Sequence, residues 1–262
     1  MQKTTDIATT VTVALDAGIA TVTIDRPPAN ALDDGTLERL RDALAEVRRA
    51  TPRGVLLTGA GDRFFSAGGD VKELERLGHE QGTGRVDRFN AVLGELAGIT
   101  APVAVAANGT AVGGGTELLL AADHPVGVRG ARYGMPEIDH GLLPSAASVA
   151  RAVQRLGFLP ARRILLSGAL FGAEEALAMG VVEELADTAA EARAAGRAWV
   201  ERMAAKPPVL VAAMKRALRD APGLDHDGHV ALTREQFTAY FDDPEAIAAR
   251  QAVLRRWASP RA

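Results

Sequence analysis

Two glycine-rich segments are the parts of the sequence best suited to chemistry. The first covers residues 64–74 and the second residues 108–118, and each leads from a predicted strand into a predicted helix. Backbone N–H groups at a helix N-terminus are unpaired and carry partial positive charge, and glycine has no Cβ to keep a ligand oxygen away. Two such turns that face each other can direct two N–H donors at one oxygen, which is the geometry of an oxyanion hole.

Two glutamates follow these segments closely enough to take part in the same chemistry. Glu117 lies three residues after Gly114, and Glu137 follows Pro136. Each also has a simpler interpretation, since Glu117 could complement a helix dipole and Glu137 could be a solvated surface side chain. The glycines of one loop alone would favour a tight turn or close helix packing, whereas both loops together, with Glu117 just after the second, favour a catalytic site.

Other uses of the glycines fit the sequence less well. A Walker loop needs Gly-Lys-Ser/Thr, which is absent, and the run from Gly109 to Gly115 does not match the G-x-G-x-x-G of a dinucleotide fold. No G-x-S-x-G nucleophile elbow occurs. Phosphate cradling and serine hydrolysis are therefore disfavoured.

Composition limits the functional classes to which the protein can belong. The chain has 262 residues, of which 47% are apolar and 24% charged, with a net charge of −3 and no cysteine. The absence of cysteine excludes disulfides and thiolate chemistry. The lack of a basic stripe gives nucleic-acid binding no support. The histidines form no spaced ligand set, so no metal is predicted. The first 13 residues contain no apolar signal segment, and a cytoplasmic enzyme is predicted by elimination.

The elements that must position these groups are those of an α/β fold. Alternating runs at 11–15 and 19–24 predict a β-hairpin, and a helix capped by Asp33 or Asp34 is predicted to run to about Arg49. Strand, turn and helix then recur, which indicates mostly parallel strands. These further elements are predicted as a strand at 54–58, a helix near 84–98, a strand at 102–107, a helix from about 114 and a strand at 125–129.

Helical periodicity dominates after about residue 187. Helices are predicted at 188–204, 208–219, 228–241 and 244–257, the last started by Asp243-Pro244. We therefore predict an α/β core at 1–190 and a helical C-terminal region at 191–262 that takes part in oligomerisation.

Several of these segments, taken in order, resemble the enoyl-CoA hydratase/isomerase (crotonase) family, and the resemblance covers most of the chain. It rests on the following segments: Arg26-Pro27, Asn30-Ala31-Leu32, the two glycine-rich loops, Pro136-Glu137, Leu166-Ser167-Gly168, Ala176 with Gly180-Val181-Val182, and Lys206-Pro207-Pro208. It implies a spiral of ββα units with a helical C-terminal region, assembled as trimers or paired trimers. This agrees with the strand and helix pattern.

The resemblance also implies roles for individual residues. Gly69 and Gly114 match the two oxyanion N–H positions, and Glu117 and Glu137 match the two glutamates of hydratases. Ala67 lies where family members contact adenine, and Lys72 lies near the coenzyme phosphates. The residues predicted to bind substrate or coenzyme A are Arg26, Ala67, Gly69, Asp70, Val71, Lys72 and Gly114.

The implied reaction is hydration of an enoyl-CoA, a hydro-lyase activity. Coenzyme A enters only as part of the substrate, and no metal or redox cofactor is expected. Glu137 is predicted to protonate C2 and Glu117 to activate water. Two retained glutamates favour hydration over isomerisation, although decarboxylases, dehalogenases and C–C hydrolases share the oxyanion hole. A non-catalytic acyl-CoA or RNA-binding relative is the alternative from another class. The pathway, fatty-acid oxidation or biosynthesis, is not fixed by these residues.

One segment departs from the family pattern. Family members often carry glycines after the position of Pro144, where this chain reads Ser145-Ala146-Ala147-Ser148, predicted to start a helix and to narrow the space beside the glutamates. His140 is predicted to be a buried, hydrogen-bonded side chain, with a substrate contact or an additional proton carrier as the alternative. The acyl pocket is predicted to draw on the segment near 74–95.

Overall fold

The computed structural model describes residues 10–258. Residues 1–9 and 259–262, the outer ends of the predicted domains 1–190 and 191–262, lie outside the described residues. The prediction that residues 1–13 contain no signal segment falls mostly on this undescribed part. Ten strands are described: β1 Thr10–Asp16, β2 Ile19–Asp25, β3 Gly54–Gly59, β4 Phe64–Ser66, β5 Val103–Ala106, β6 Thr110–Val112, β7 His124–Val128, β8 Arg132–Gly134, β9 Leu170–Gly172 and β10 Glu184–Ala186.

Eleven α-helices are described in the same range: α1 Asp34–Ala50, α2 Val71–Leu74, α3 His79–Gly98, α4 Gly114–Leu120, α5 Ala146–Leu156, α6 Phe158–Ser167, α7 Ala173–Met179, α8 Ala189–Ala204, α9 Pro208–Asp220, α10 His226–Phe241 and α11 Pro244–Ala258. Two short 3-10 helices cover Glu137–His140 and Ala221–Gly223.

The strands form two sheets that the chain visits in turn. The larger sheet has the order β1-β2-β3-β5-β7-β10, and only its β1–β2 pair is antiparallel. The smaller sheet has the order β4-β6-β8-β9, with β4, β6 and β8 parallel. The chain repeats a unit of two strands, one in each sheet, followed by a helix. This repeat confirms the predicted α/β fold of ββα units.

Local sequence explains the elements that the pattern predicted. Asp33 caps α1 by accepting a hydrogen bond from Thr36 N at 2.7 Å. The predicted apolar face of α1 is buried, with Leu37, Leu40 and Leu44 among its core residues. β3 is buried along its whole length, as expected for a central parallel strand covered on both faces. The predicted β-hairpin and all four C-terminal helices are present, within a few residues of their predicted bounds.

The C-terminal helices are fixed to the sheet body by packing and by polar contacts. A Cβ added at Gly54, the first residue of β3, would lie 2.2 Å from Cγ1 of Val200 in α8. Glycine at this position therefore allows α8 to lie close to the sheet. Lys215 of α9 donates to Asp123 Oδ2 at 2.6 Å and to the Ala101 carbonyl at 2.7 Å. The domain division at residues 190/191 stays a prediction.

Candidate active site

The two glycine-rich loops meet at one edge of the smaller sheet. β4 and β6 are parallel neighbours, so their carboxyl ends lie side by side. Gly68 has a φ of +79°, and a Cβ there would lie 2.6 Å from the Val112 carbonyl oxygen and 3.3 Å from the Gly114 nitrogen. Glycine is therefore required at position 68 both by its backbone conformation and by the approach of the second loop.

The predicted oxyanion donors occupy these two loops. Gly69 pairs with Leu32 as a parallel bridge, in which Leu32 N donates to the Gly68 carbonyl at 2.7 Å. Gly114 is the first residue of α4, where N–H groups have no partner within the helix. Within residues 10–258, the N–H groups of Gly69 and Gly114 make no hydrogen bond to an acceptor. Both remain available to a ligand oxygen.

Two buried asparagines hydrogen-bond to the backbone that leads into the first loop. The side-chain amides of Asn30 and Asn108 each donate to the Phe64 carbonyl at 3.0 Å, and both also donate to the Ala60 carbonyl. Asn108 Oδ1 accepts from Gly59 N at 2.8 Å. Because these bonds satisfy the turn between β3 and β4, they fix the direction in which the loop leaves the sheet.

Glu117 is buried, with 4% of its surface exposed, in the first turn of α4. Its Oε2 accepts from Ser145 Oγ at 2.9 Å and from Ser145 N at 3.3 Å. Burial raises the pKa of this carboxyl, and the hydroxyls of Ser148 and Ser145 and the charge of Arg151 oppose that rise. A carboxylate that only complemented the helix dipole would need no such set of partners.

Glu137 opens the 3-10 helix Glu137–His140 and is half-buried. A Cβ on Gly113, which has a φ of +53°, would lie 2.7 Å from Glu137 Oε1, so this carboxyl lies against the start of α4. Its Oε2 is buried without a hydrogen-bond partner among the described residues. Burial, with a smaller contribution from the charge of Glu117, raises the pKa of Glu137 to about 7. The simpler interpretation, a solvated surface glutamate, does not fit these observations.

The predicted coenzyme A residues divide into two groups. Arg26 and Asp70 contact each other, with Arg26 Nη2 2.9 Å from Asp70 Oδ2, and Asp70 also caps α2 by accepting from Lys72 N at 3.1 Å. These two side chains therefore fix the first loop. Val71 and Lys72 are exposed, and half-buried Ala67 donates its N–H to the Ala29 carbonyl at 3.0 Å.

The sequence did not identify several residues of the site. Phe89 of α3 is one, because its ring lies 3.3 Å from where a Cβ on Gly114 would be, beside Leu32. Arg151 is another, with a buried Nη1 that has no hydrogen-bond partner among residues 10–258. Each has a signal in the sequence. Phe89 is the one Phe, Trp or Tyr in α3. Arg151 lies three residues after Ser148, a spacing that places both side chains on the same face of a helix.

One prediction about this region is wrong. His140 is exposed and not buried, because it lies at the end of the 3-10 helix on the outer surface. The predicted helix after Pro144 is confirmed as α5, with Ser145 as its N-cap.

Residues 10–258 contain neither a metal-binding cluster nor a membrane-spanning helix. No cluster of three or more His, Cys, Asp or Glu side chains there has the arrangement of a metal site. Within the same residues, every helix is too short or too polar to cross a membrane.

Comparison with known proteins agrees with this fold. The family model described as enoyl-CoA hydratase/isomerase matches residues 14–254. A probable enoyl-CoA hydratase of Bacillus subtilis (strain 168) is 31% identical over 248 residues, which cover 94% of this chain and 96% of that protein. The chain therefore belongs to the enoyl-CoA hydratase/isomerase family.

Solved structures show the same architecture over nearly the whole chain. The structure of Pseudomonas aeruginosa DspI is 30% identical, has a TM-score of 0.88, and covers 97% of this chain and 98% of that one. An enoyl-CoA hydratase from Bacillus anthracis is 26% identical, has a TM-score of 0.87, and covers 94% and 96%. These matches confirm the predicted crotonase-like fold.

Proposed function

We propose that this protein is an enoyl-CoA hydratase that adds water across the 2,3 double bond of an enoyl-CoA thioester. The observation that carries the proposal is the pair of glutamates with raised pKa values, Glu117 and Glu137, beside two loops with unpaired N–H groups. Carboxyls with raised pKa values, that of Glu137 being about 7, are suited to exchange protons with a substrate. Membership of a family named for enoyl-CoA hydration and isomerisation supports the same substrate class.

In the proposed reaction, the thioester oxygen accepts hydrogen bonds from Gly69 N–H and Gly114 N–H. Glu117 takes a proton from water, and the hydroxide adds to C3 while negative charge moves onto the thioester oxygen. Glu137, protonated, then gives its proton to C2. Each oxyanion donor lowers the barrier by about 3–4 kcal/mol in comparable sites, and positioned acid–base groups contribute about 10²–10⁴-fold each. The chemistry needs coenzyme A as part of the substrate and no further cofactor.

A double-bond isomerase is the second candidate, and one observation favours it. Oε2 of Glu117 already accepts a hydrogen bond from Ser145, whereas Oε2 of Glu137 has no hydrogen-bond partner within residues 10–258. An isomerase moves a proton between two carbons and can use one glutamate, so Glu137 alone could perform it.

The test is the absorbance of the enoyl thioester when purified protein meets crotonyl-CoA. For a hydratase, the absorbance falls in the wild type and in Glu46→Gln, an exposed control, and the rate drops sharply in Glu117→Gln. A 3-enoyl-CoA substrate separates the candidates, because an isomerase would raise the absorbance from it. Binding of acyl-CoA without either change would contradict both reactions.

The assembly proposed for the protein is a homotrimer or a dimer of trimers, located in the cytoplasm. Large apolar side chains are exposed on the C-terminal helices, including Leu218 at 67% and Trp257 at 81%, and such surfaces commonly mark protein contacts. Light scattering of the purified chain should give three or six times the monomer mass. A monomer at micromolar concentration would contradict the proposed assembly.

A further inference from the structure

Ser145 is the residue whose contacts extend the proposed mechanism. As the N-cap of α5, its Oγ accepts a hydrogen bond from Ser148 N at 3.1 Å. The same Oγ lies 2.9 Å from Glu117 Oε2 and 2.9 Å from Ser148 Oγ. A serine hydroxyl has one proton and two lone pairs. Capping uses a lone pair, so the hydroxyl proton remains available for the carboxylate.

Both hydrogen bonds from Ser145 to Glu117 reach one oxygen. The backbone N–H donates to Oε2 at 3.3 Å in addition to the hydroxyl, and neither bond involves Oε1. Donors directed at a carboxylate favour its ionised form. They also restrict rotation of the carboxyl group, since two fixed donors on the same residue define where Oε2 lies.

The charged groups that face Glu117 come from two elements. Arg151, in α5, favours the ionised form of Glu117, and the charge of Glu117 raises the pKa of Glu137, in the 3-10 helix. Glu137 receives no comparable support, because its Oε2 is buried without a partner among the described residues. The two carboxyls therefore differ in the partners that stabilise a negative charge.

We propose that Ser145 is a positioning residue that holds Glu117 by Oε2 and favours its ionised form, the form that the base role of Glu117 in the proposed reaction requires. This inference rests on the proposed hydratase function for its catalytic consequence. The Ser148 hydroxyl also favours the ionised form of Glu117, so Ser145 shares this role with a second hydroxyl of the same helix start.

Three substitutions at Ser145 separate this role from helix capping. Glycine keeps most of the N-cap preference but removes the hydroxyl, alanine removes both, and threonine keeps both. Thr188→Ala is the matched control, because Thr188 caps α8 in the same manner and is exposed on another part of the surface.

The experiment is an NMR titration of isotope-labelled glutamate carboxyls, with the Glu117 signal assigned by its loss in Glu117→Gln. The pKa of Glu117 should rise by about one unit in Ser145→Ala and in Ser145→Gly, since a hydrogen bond to the charged form is lost. It should stay at the wild-type value in Ser145→Thr and Thr188→Ala. An unchanged Glu117 pKa in both the alanine and the glycine variant would overturn the inference.

Kinetics supply the second measurement. The acidic limb of the pH profile of kcat/KM should move to higher pH by about one unit in Ser145→Ala, with kcat reduced about ten-fold near neutral pH and KM little changed. Threonine should restore the profile. A purely structural role would lower activity without moving the limb. If the wild type does not hydrate crotonyl-CoA, the proposed function fails while the titration still decides the role of Ser145.

Discussion

The first turn of α4 and the 3-10 helix Glu137–His140 place their glutamates in opposite ways. Glu117 belongs to a buried helix and is held through two donors on Ser145. Glu137 belongs to a short segment without buried residues, and its Oε2 has no partner within residues 10–258. Two identical side chains therefore receive different hydrogen-bond support from the elements that carry them, and substitutions can test whether that difference matters for the reaction.

The largest effect is expected at Glu137, the less supported carboxyl. Glu137→Gln should lower kcat for crotonyl-CoA hydration by about 10²–10⁴-fold, because the amide cannot give a proton to C2. Acyl-CoA binding, measured by calorimetry, should change little. Glu46→Gln provides the exposed control, and wild-type activity in Glu137→Gln would remove Glu137 from the mechanism.

A glycine of the first loop comes next. Gly68→Ala should destabilise the protein by about 2–3 kcal/mol and lower kcat/KM by about ten-fold or more, because the added Cβ would press on the Val112 carbonyl and separate the loops. Urea unfolding and initial rates measure the two effects.

Gly61→Ala is the control for this substitution. Gly61 has nearly the same φ, +76°, but nothing lies within 4 Å of a Cβ there. It should therefore lose only the cost of the left-handed conformation, about 1–2 kcal/mol, and keep its activity. Equal losses in both variants would mean that contact between the loops is unimportant.

A smaller effect is expected at the residue that joins the two glutamate regions. Thr116 Oγ1 lies 2.9 Å from the carbonyl oxygens of Ala111 and Gly134, and it thereby connects α4 to the strand before Glu137. Thr116→Val should lower the free energy of unfolding by about 1–3 kcal/mol, since buried polar groups lose their partner. Exposed Thr233→Val should stay within about 0.5 kcal/mol of wild type.

The smallest effect is the pH dependence of stability caused by Glu137. Its folded-state pKa, about 7, exceeds the ordinary 4.5. The stabilisation from the bound proton is therefore fully present below about pH 4.5 and is lost as the pH rises through about 7. Glu137→Gln should gain stability relative to wild type over that range, by about 1 kcal/mol or less after solvent screening. A difference that is constant from about pH 4.5 to about pH 8 would contradict the raised pKa.

Long periodic segments made much of this fold predictable from the sequence. α1 and α8 to α11 carry clear helical spacing or capping residues, and the hairpin alternates cleanly, so each was located to within a few residues. α3 begins at His79 and not near residue 84, because glycines at 82 and 84 weaken the pattern although the helix tolerates them.

The parts that were not predicted depend on contacts distant in sequence. β4, β6 and β8 have three residues each, too few for any periodicity to be visible. The glutamates were identified through resemblance and position, but their different partners were not. The hydrogen bond from Ser145 to Glu117 joins residues 28 apart, and only the folded chain brings the two together.

The two asparagines beneath the first loop have a practical consequence for titration experiments. Asn30 and Asn108 hold the Ala60 and Phe64 carbonyls with amide groups, and amides carry no proton that is gained or lost across the range in which carboxyls titrate. This part of the scaffold therefore has the same charge at every pH used to follow the glutamates. Spectroscopic changes near the first loop during such a titration therefore originate from carboxyl groups, including Glu73 of the loop itself, and not from the two asparagines.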